Sequence, residues 1–324
     1  MWIAVGQVSL LSGLKCKFLI KLWTVGIQFL HRKVINDSKW NRVIEGSAAE
    51  TIYPYTWYLD SVAGHWSALV GDDYRYLMPL VWKRKYGIAY IYQPFYTQQL
   101  GVFSEEHVDP TIITDMIMKI PGKFRMGQLQ FNSGNLVSQL PSIQVADRMN
   151  YVLDMNCSYE QLEASFSMNA RRNLKKAYTH DGVVEKGMTI RELVGFKRQH
   201  DVISRSEKEY TWLIELLEKI RDQGAGTIYS TGSKGHPDAA AFFAFSKKRA
   251  IYLLSVSSET GKDRRSMFRI VDAFLREHAG SPLTLDFEGS NIPTVARFFS
   301  GFGATPEVYQ AVGFRRFPFT MLRT

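Results

Sequence analysis

Cysteine is scarce: Cys16 and Cys157 are the only two in 324 residues. Neither sits in a redox or metal-ligand spacing, and the seven histidines are too scattered for a zinc pattern. No disulfide framework and no metal are expected, and the expected compartment is reducing, the cytoplasm of a bacterium. No uncharged stretch is long enough to span a membrane. The first thirty residues are apolar, but Lys15, Lys17 and Lys21 interrupt them. They lack the basic-then-apolar order and the small-residue cleavage site of a signal peptide. Acid is missing as well, since no Asp or Glu precedes Asp37 while Arg32 and Lys33 add further cations. Residues 1–36 therefore read as an apolar basic extension. It is either an amphipathic helix giving weak membrane-surface association or, preferred here, a loosely attached segment upstream of the true start. Ordinary folded protein is expected from Asp37. Catalytic signatures are also absent: no dinucleotide glycine spacing, no Gly-Lys-Ser/Thr loop, and no Ser-His-Asp or Cys-His set that can be assembled.

What is present is a globular composition, 45% hydrophobic and 22% charged. The net charge of +9 comes without a long basic run, which favours anionic partners weakly, and nucleic acid is not the expected partner. The length suits two domains or one large one. Alternation and helical spacing predict helices over 38–49 and 55–62. A hairpin follows around Gly71-Asp72-Asp73, capped by Lys83-Arg84-Lys85, with a strand over 88–92, a long loop from Gln93 to Pro110, a helix over 111–120 and a strand over 123–131. The second half reads as a strand over 151–155, one long helix over 159–180 and two helices over 190–200 and 207–222. Strands at 226–231, 239–246 and 250–257, a helix over 264–279, and closing strands at 307–311 and 317–322 complete it.

The most informative stretch is LDFEGSNIPTVARFFSGFGA, residues 285–304. A strand ends on Asp286 and Glu288, which share one face, and a Gly289-Ser290 turn leads into a helix. Asn291 is its candidate N-cap, Pro293 falls in its first turn, and Val295, Phe298, Phe299 and Phe302 form its apolar stripe. Gly301 and Gly303 supply the stop. A carboxylate at such a strand end could deprotonate an attacking amine or hydroxyl if burial raised its pKa. It could equally bond the following turn, the reading that weighs more for Asp286 than for Glu288. Upstream, Leu254-Ser255-Val256-Ser257 run into Gly261, Lys262, Arg264, Arg265 and Ser266 at a helix start, a place suited to a pyrophosphate or an ordinary strand-to-helix link. Arg171 and Arg172, with Lys175 and Lys176, form either a solvated helix face or a clamp on an anion. The stretch Tyr90–Gln99, ending in Gln98 and Gln99, either lines a cleft or packs as a loop.

Taken together, FSMNARRNLKKA, GVVEKG and the 285–304 stretch resemble the Fem-related branch of the GNAT superfamily. Arg171, Arg172, Lys176 and Ala177 fit its Arg-Arg-x-x-x-Lys-Ala helix. Asp286, Phe287, Gly289, Ser290, Phe298, Phe302 and Gly303 fit its Asp-Phe-x-Gly-Ser segment and the helix after it. Phe299 stands where that family has lysine, and the GNAT Gln/Arg-x-x-Gly-x-Gly/Ala loop is missing, with Gly261 alone serving. The element order of the second half is also GNAT-like. IYPYTWYLD and YIYQPFYTQQLGVFS are similar to segments of bacterial GNAT-type proteins frequent in Bacteroidetes.

The resemblance implies an α/β (α+β) fold of tandem GNAT-like domains, with mixed central sheets flanked by helices. One domain would cover residues 37–149 and an acyl-donor-binding domain residues 150–324. It implies acetyl-CoA or another acyl-CoA as co-substrate, with no metal. The pantetheine arm would pair along Ile251–Ser257 and the pyrophosphate would sit at Gly261–Ser266. A small-molecule or peptidoglycan-precursor acceptor would be held by Gln98, Gln99, Arg171 and Arg172. Glu288 would be the base, with Asp286 beside it, and Tyr309 would protonate the leaving thiolate. The alternatives are a Fem-like aminoacyl-tRNA-dependent transferase, which the lack of a coiled-coil arm disfavours, and a non-catalytic GNAT-like binding module.

Overall fold

The computed structural model describes residues 25–201, 205–233, 235–289 and 292–316. Cys16, Ser290, the expected Asn291 cap, the expected strand over 317–322 and most of the N-terminal extension lie outside the described residues. The first half comprises β1 (Ile27–His31), α1 (Asp37–Gly46), α2 (Thr56–Val62), β2 (Trp66–Gly71), β3 (Tyr76–Lys85), β4 (Ile88–Ile91), α3 (Pro110–Met118) and β5 (Phe124–Gln130). The second half begins with β6 (Ile143–Asp154), α4 (Tyr159–Ser165), α5 (Met168–Tyr178), β7 (Val184–Glu185), α6 (Ile190–His200) and α7 (Glu207–Asp222). It continues with β8 (Gly226–Ser233), β9 (His236–Phe245), β10 (Arg249–Ser257), α8 (Glu259–Arg264), α9 (Ser266–His278), β11 (Thr284–Asp286), α10 (Pro293–Gly301) and β12 (Thr305–Arg315).

All these strands join one mixed sheet in the order β1-β2-β3-β4-β5-β12-β6-β11-β10-β9-β8-β7. The last strand, β12, lies antiparallel between β5 of the first half and β6 of the second. Helices cover both faces, so β2 is buried along its whole length, with alternate side chains entering different cores. One core spans the halves, joining Trp40, Tyr53 and Tyr58 to Leu213, Leu217 and Ile251. The opposite face of the second half packs Leu174, Phe274, Phe287 and Phe302. A loop of the first half also grips a turn of the second. Fully buried Glu50 accepts hydrogen bonds from the Ser246 hydroxyl at 2.9 Å and from the Lys247 and Lys248 amides at 3.1 and 2.9 Å. Among the described residues no helix is long and apolar enough to cross a membrane.

Several expectations are corrected. The folded chain begins before Asp37: β1 pairs with β2, and Arg32 bridges Asp37 and Asp60 at 2.7 and 2.8 Å. The long helix over 159–180 is two helices, because Phe166 and Ser167 take extended backbone and the Ser167 side chain caps α5. That break lets Gly303, at φ +84°, sit against Ser165, where any side chain would collide. Lys83-Arg84-Lys85 continue β3 rather than capping it, and the chain reverses at Tyr86-Gly87, both at positive φ. The expected loop before Arg264 contains α8, capped by Ser258, and the long helix expected from Arg264 starts at Ser266.

Candidate active site

β11 pairs with β10 only over Arg249–Ile251. From Tyr252 onward β10 bulges and runs to Ser257 with no described strand paired to it on that edge. Such an edge is of the kind that an extended ligand can pair with. Glu288 lies two residues past the end of β11, at φ +57°. The turn that aims it is tight. A side chain at Gly289 would place its first carbon 2.0 Å from the Met149 carbonyl and 3.1 Å from Gln98 Nε2.

The Glu288 carboxylate accepts a 2.5 Å hydrogen bond from the hydroxyl of Tyr53, which comes from the first half and is almost fully buried. Burial pushes the Glu288 carboxyl up to about 8; Tyr53 pulls it down and the charge of Asp286 adds to the rise. Asp286 plays a different part. It is 1% exposed, accepts the Glu288 amide at 2.8 Å, and is ion-paired to Arg249 at 2.7 Å. Arg249 also holds Glu307 at 2.9 Å. Burial works against the Arg249 cation, but these two acids outweigh it and raise its pKa. Asp286 thus fixes the turn carrying Glu288, the alternative weighed for it from the sequence. Next to it, Asn150 donates to Glu307 at 3.2 Å while its own buried Oδ1 has no hydrogen-bond partner.

Tyr309, on β12 opposite Arg148, donates to Gln130 at 3.2 Å. Burial pushes it up to about 12, with Glu288 and Asp286 adding to the rise and Arg148 opposing it, so it holds its proton at neutral pH. Gln98 accepts from Gln99 at 2.8 Å, Gln99 in turn accepts the Ser133 amide, and Gln98 Nε2 lies beside Gly289 in the turn that carries Glu288. Arg171 and Arg172 do not reach it. They ride on α5, which packs on the other face of the sheet with Leu285 and Phe287. Arg171 spends its guanidinium on the carbonyls of Glu163, Ala164 and Phe166, closing the end of α4.

The expected pyrophosphate loop is also rebuilt. Leu254 is buried in the core, whereas Ser255, Val256, Ser257 and Lys262 line a cavity of about 280 Å³ with His200, Asp201 and Arg205. Gly261 serves packing, since a side chain there would stand 1.9 Å from the Asp238 carbonyl of β9. Its amide is taken by the Ser258 hydroxyl at 3.0 Å. Arg264 bonds Asp238, Arg265 turns to the Lys262 carbonyl, and Ser266 is buried at the start of α9. A larger groove of about 650 Å³ on His65, Trp82–Lys85 and Tyr90 takes in, of the candidate residues, only the first of the Tyr90–Gln99 stretch. Sequence reasoning missed Tyr53, Arg249 and Glu307. The aromatic stretch Ile52–Asp60 was the only signal, and it did not show which ring would meet Glu288.

No family model matches this sequence, and no curated protein does. Solved structures do. FemX superposes with a TM-score of 0.60 at 10% identity, over 87% of this chain and 96% of that one. A conserved protein of unknown function from Bacteroides thetaiotaomicron gives 0.56 at 9% identity, over 90% of this chain and 100% of that one. The C-terminal domain of a putative lysylphosphatidylglycerol synthetase from Agrobacterium fabrum gives 0.51 at 11% identity, over 85% and 90%. The chain thus shares the fold of FemX, a mixed sheet flanked by helices.

Proposed function

We propose that the protein is an acyltransferase that moves an acetyl or other acyl group from acyl-CoA to an amine or hydroxyl acceptor by direct attack. The observation that carries this reading is Glu288, a carboxyl poised near 8 just past the end of β11 and oriented by Tyr53. The pantetheine amides of the donor would pair with the open edge of β10, placing the acyl carbonyl near Glu288. The acceptor's nucleophile attacks that carbon while Glu288 takes its proton, the bond to sulfur breaks, and the Tyr309 hydroxyl protonates the departing thiolate. The acceptor lies against Gln98 and Gln99, and its class is a small molecule or a peptidoglycan precursor. Calorimetry with acetyl-CoA and CoA tests the donor; absence of binding at millimolar ligand would sink it.

One observation favours a second donor. The α8 amide that a pyrophosphate would need is already taken by Ser258. An aminoacyl-tRNA, whose ester carbonyl the same base would serve, does not need that seat. Transfer from charged tRNA but not from acyl-CoA would decide for it.

A further inference from the structure

The cavity at the far end of β10 has a feature that neither donor reading assigned. Arg205 places its Nε in the interior without a hydrogen-bond partner. Its nearest carboxylate, Asp201, stands 3.7 Å away and is already held by Lys197 at 2.6 Å and by the Tyr210 hydroxyl at 3.1 Å. Folded proteins rarely leave such an N–H unpaired, and a ligand that supplies the acceptor is one way to satisfy it. His200, at the end of α6, and Lys262, on α8, line the same cavity, and Ser255 and Ser257 of β10 form its floor. Lys262 meets only the exposed Glu259, a pair that an incoming anion can readily replace. The guanidinium lies 6.0 Å over the Phe95 ring, and the neighbouring Tyr96 lies within electrostatic reach of both Arg205 and Glu288.

We propose that Arg205, assisted by His200 and Lys262, is the seat for a phosphate group of the acyl carrier, replacing the glycine-rich loop that the chain lacks. This rests on the acyltransferase reading above. A planar fork of N–H donors suits a phosphate better than a point charge does, and its place beside the open edge of β10 puts the phosphate and the acyl group on one extended ligand. The chemistry is shared by the pyrophosphate of CoA and by the terminal phosphodiester of a charged RNA.

Calorimetry on the full chain separates the possibilities, using CoA, phosphate-free pantetheine and an aminoacylated RNA minihelix as probes against the wild type, R205Q and R205K. The expected result is that R205Q weakens CoA, or the minihelix, by roughly 10- to 100-fold. R205K should recover part of that loss, and pantetheine should bind both variants as it binds the wild type. Unchanged pantetheine binding also reports an intact fold, and which phosphate probe responds identifies the carrier. If CoA or the minihelix binds R205Q and wild type equally, the seat is wrong while the acyltransferase reading stands. If the wild type binds neither phosphate-bearing probe, the donor reading falls and the seat with it.

Discussion

At the scale of single residues, Glu288 and Tyr53 make the clearest demands. In the acyltransferase reading, the rate should rise with pH through an apparent pKa of about 8, and E288Q should lose on the order of 100-fold or more in kcat. A flat profile, or an active E288Q, would remove Glu288 as base. Y53F deletes the hydrogen bond that pulls the carboxyl down, so the profile should move to higher pH while KM changes little. The same carboxyl has a stability signature of definite sign. Its folded pKa is raised above the unfolded value, so the folded state holds an extra proton between pH 4.5 and about 8 and loses stability as pH rises through that window. E288Q should therefore match the wild type near pH 5 and exceed it by on the order of a few kcal/mol near pH 9, as read by urea unfolding. None of this could be read from the chain alone. Glu288 is visible as an acid at a strand end, but the tyrosine that orients it lies 235 positions away in sequence.

At the scale of elements, local signals predicted well and compound ones did not. A strand and a helix form within 285–303 because Pro293 and the apolar stripe agree, but β11 ends at Asp286 and Glu288 stands on a positive-φ turn, so the two acids do not share a strand face as expected. The expected helix over 159–180 failed because its apolar face, Leu162, Phe166, Ala170 and Leu174, stays in phase across the break. Only the serines at 165 and 167 mark the interruption. The short α8 was missed because ETGKDR carries no apolar stripe, although Ser258 before Glu259 is a cap signal. Its glycine gives a sharp test. G261A forces a methyl group onto the β9 backbone and should cost about 1–3 kcal/mol with a lower Tm, whereas a glycine that served only an anion would lose binding and keep its stability.

At the scale of the whole molecule, the halves share a core. Glu50 is a direct probe of their union. E50A leaves the Lys247 and Lys248 amides and the Ser246 hydroxyl without their buried acceptor, and should destabilise by about 3 kcal/mol in one concerted transition. Two separate transitions would show halves that fold independently. The element order that suggested two GNAT-like units was legible in sequence, but the seam between them was not, because β12 reads as a five-residue strand at 307–311 and runs over eleven. The position of β12 has a consequence for biosynthesis. The strand that closes the middle of the sheet follows every other described strand along the chain, so both β5 and β6 must wait with one open edge each until it is made. A chain cut just before Thr305 would then carry two bare central edges that invite pairing with other chains and draw on chaperones.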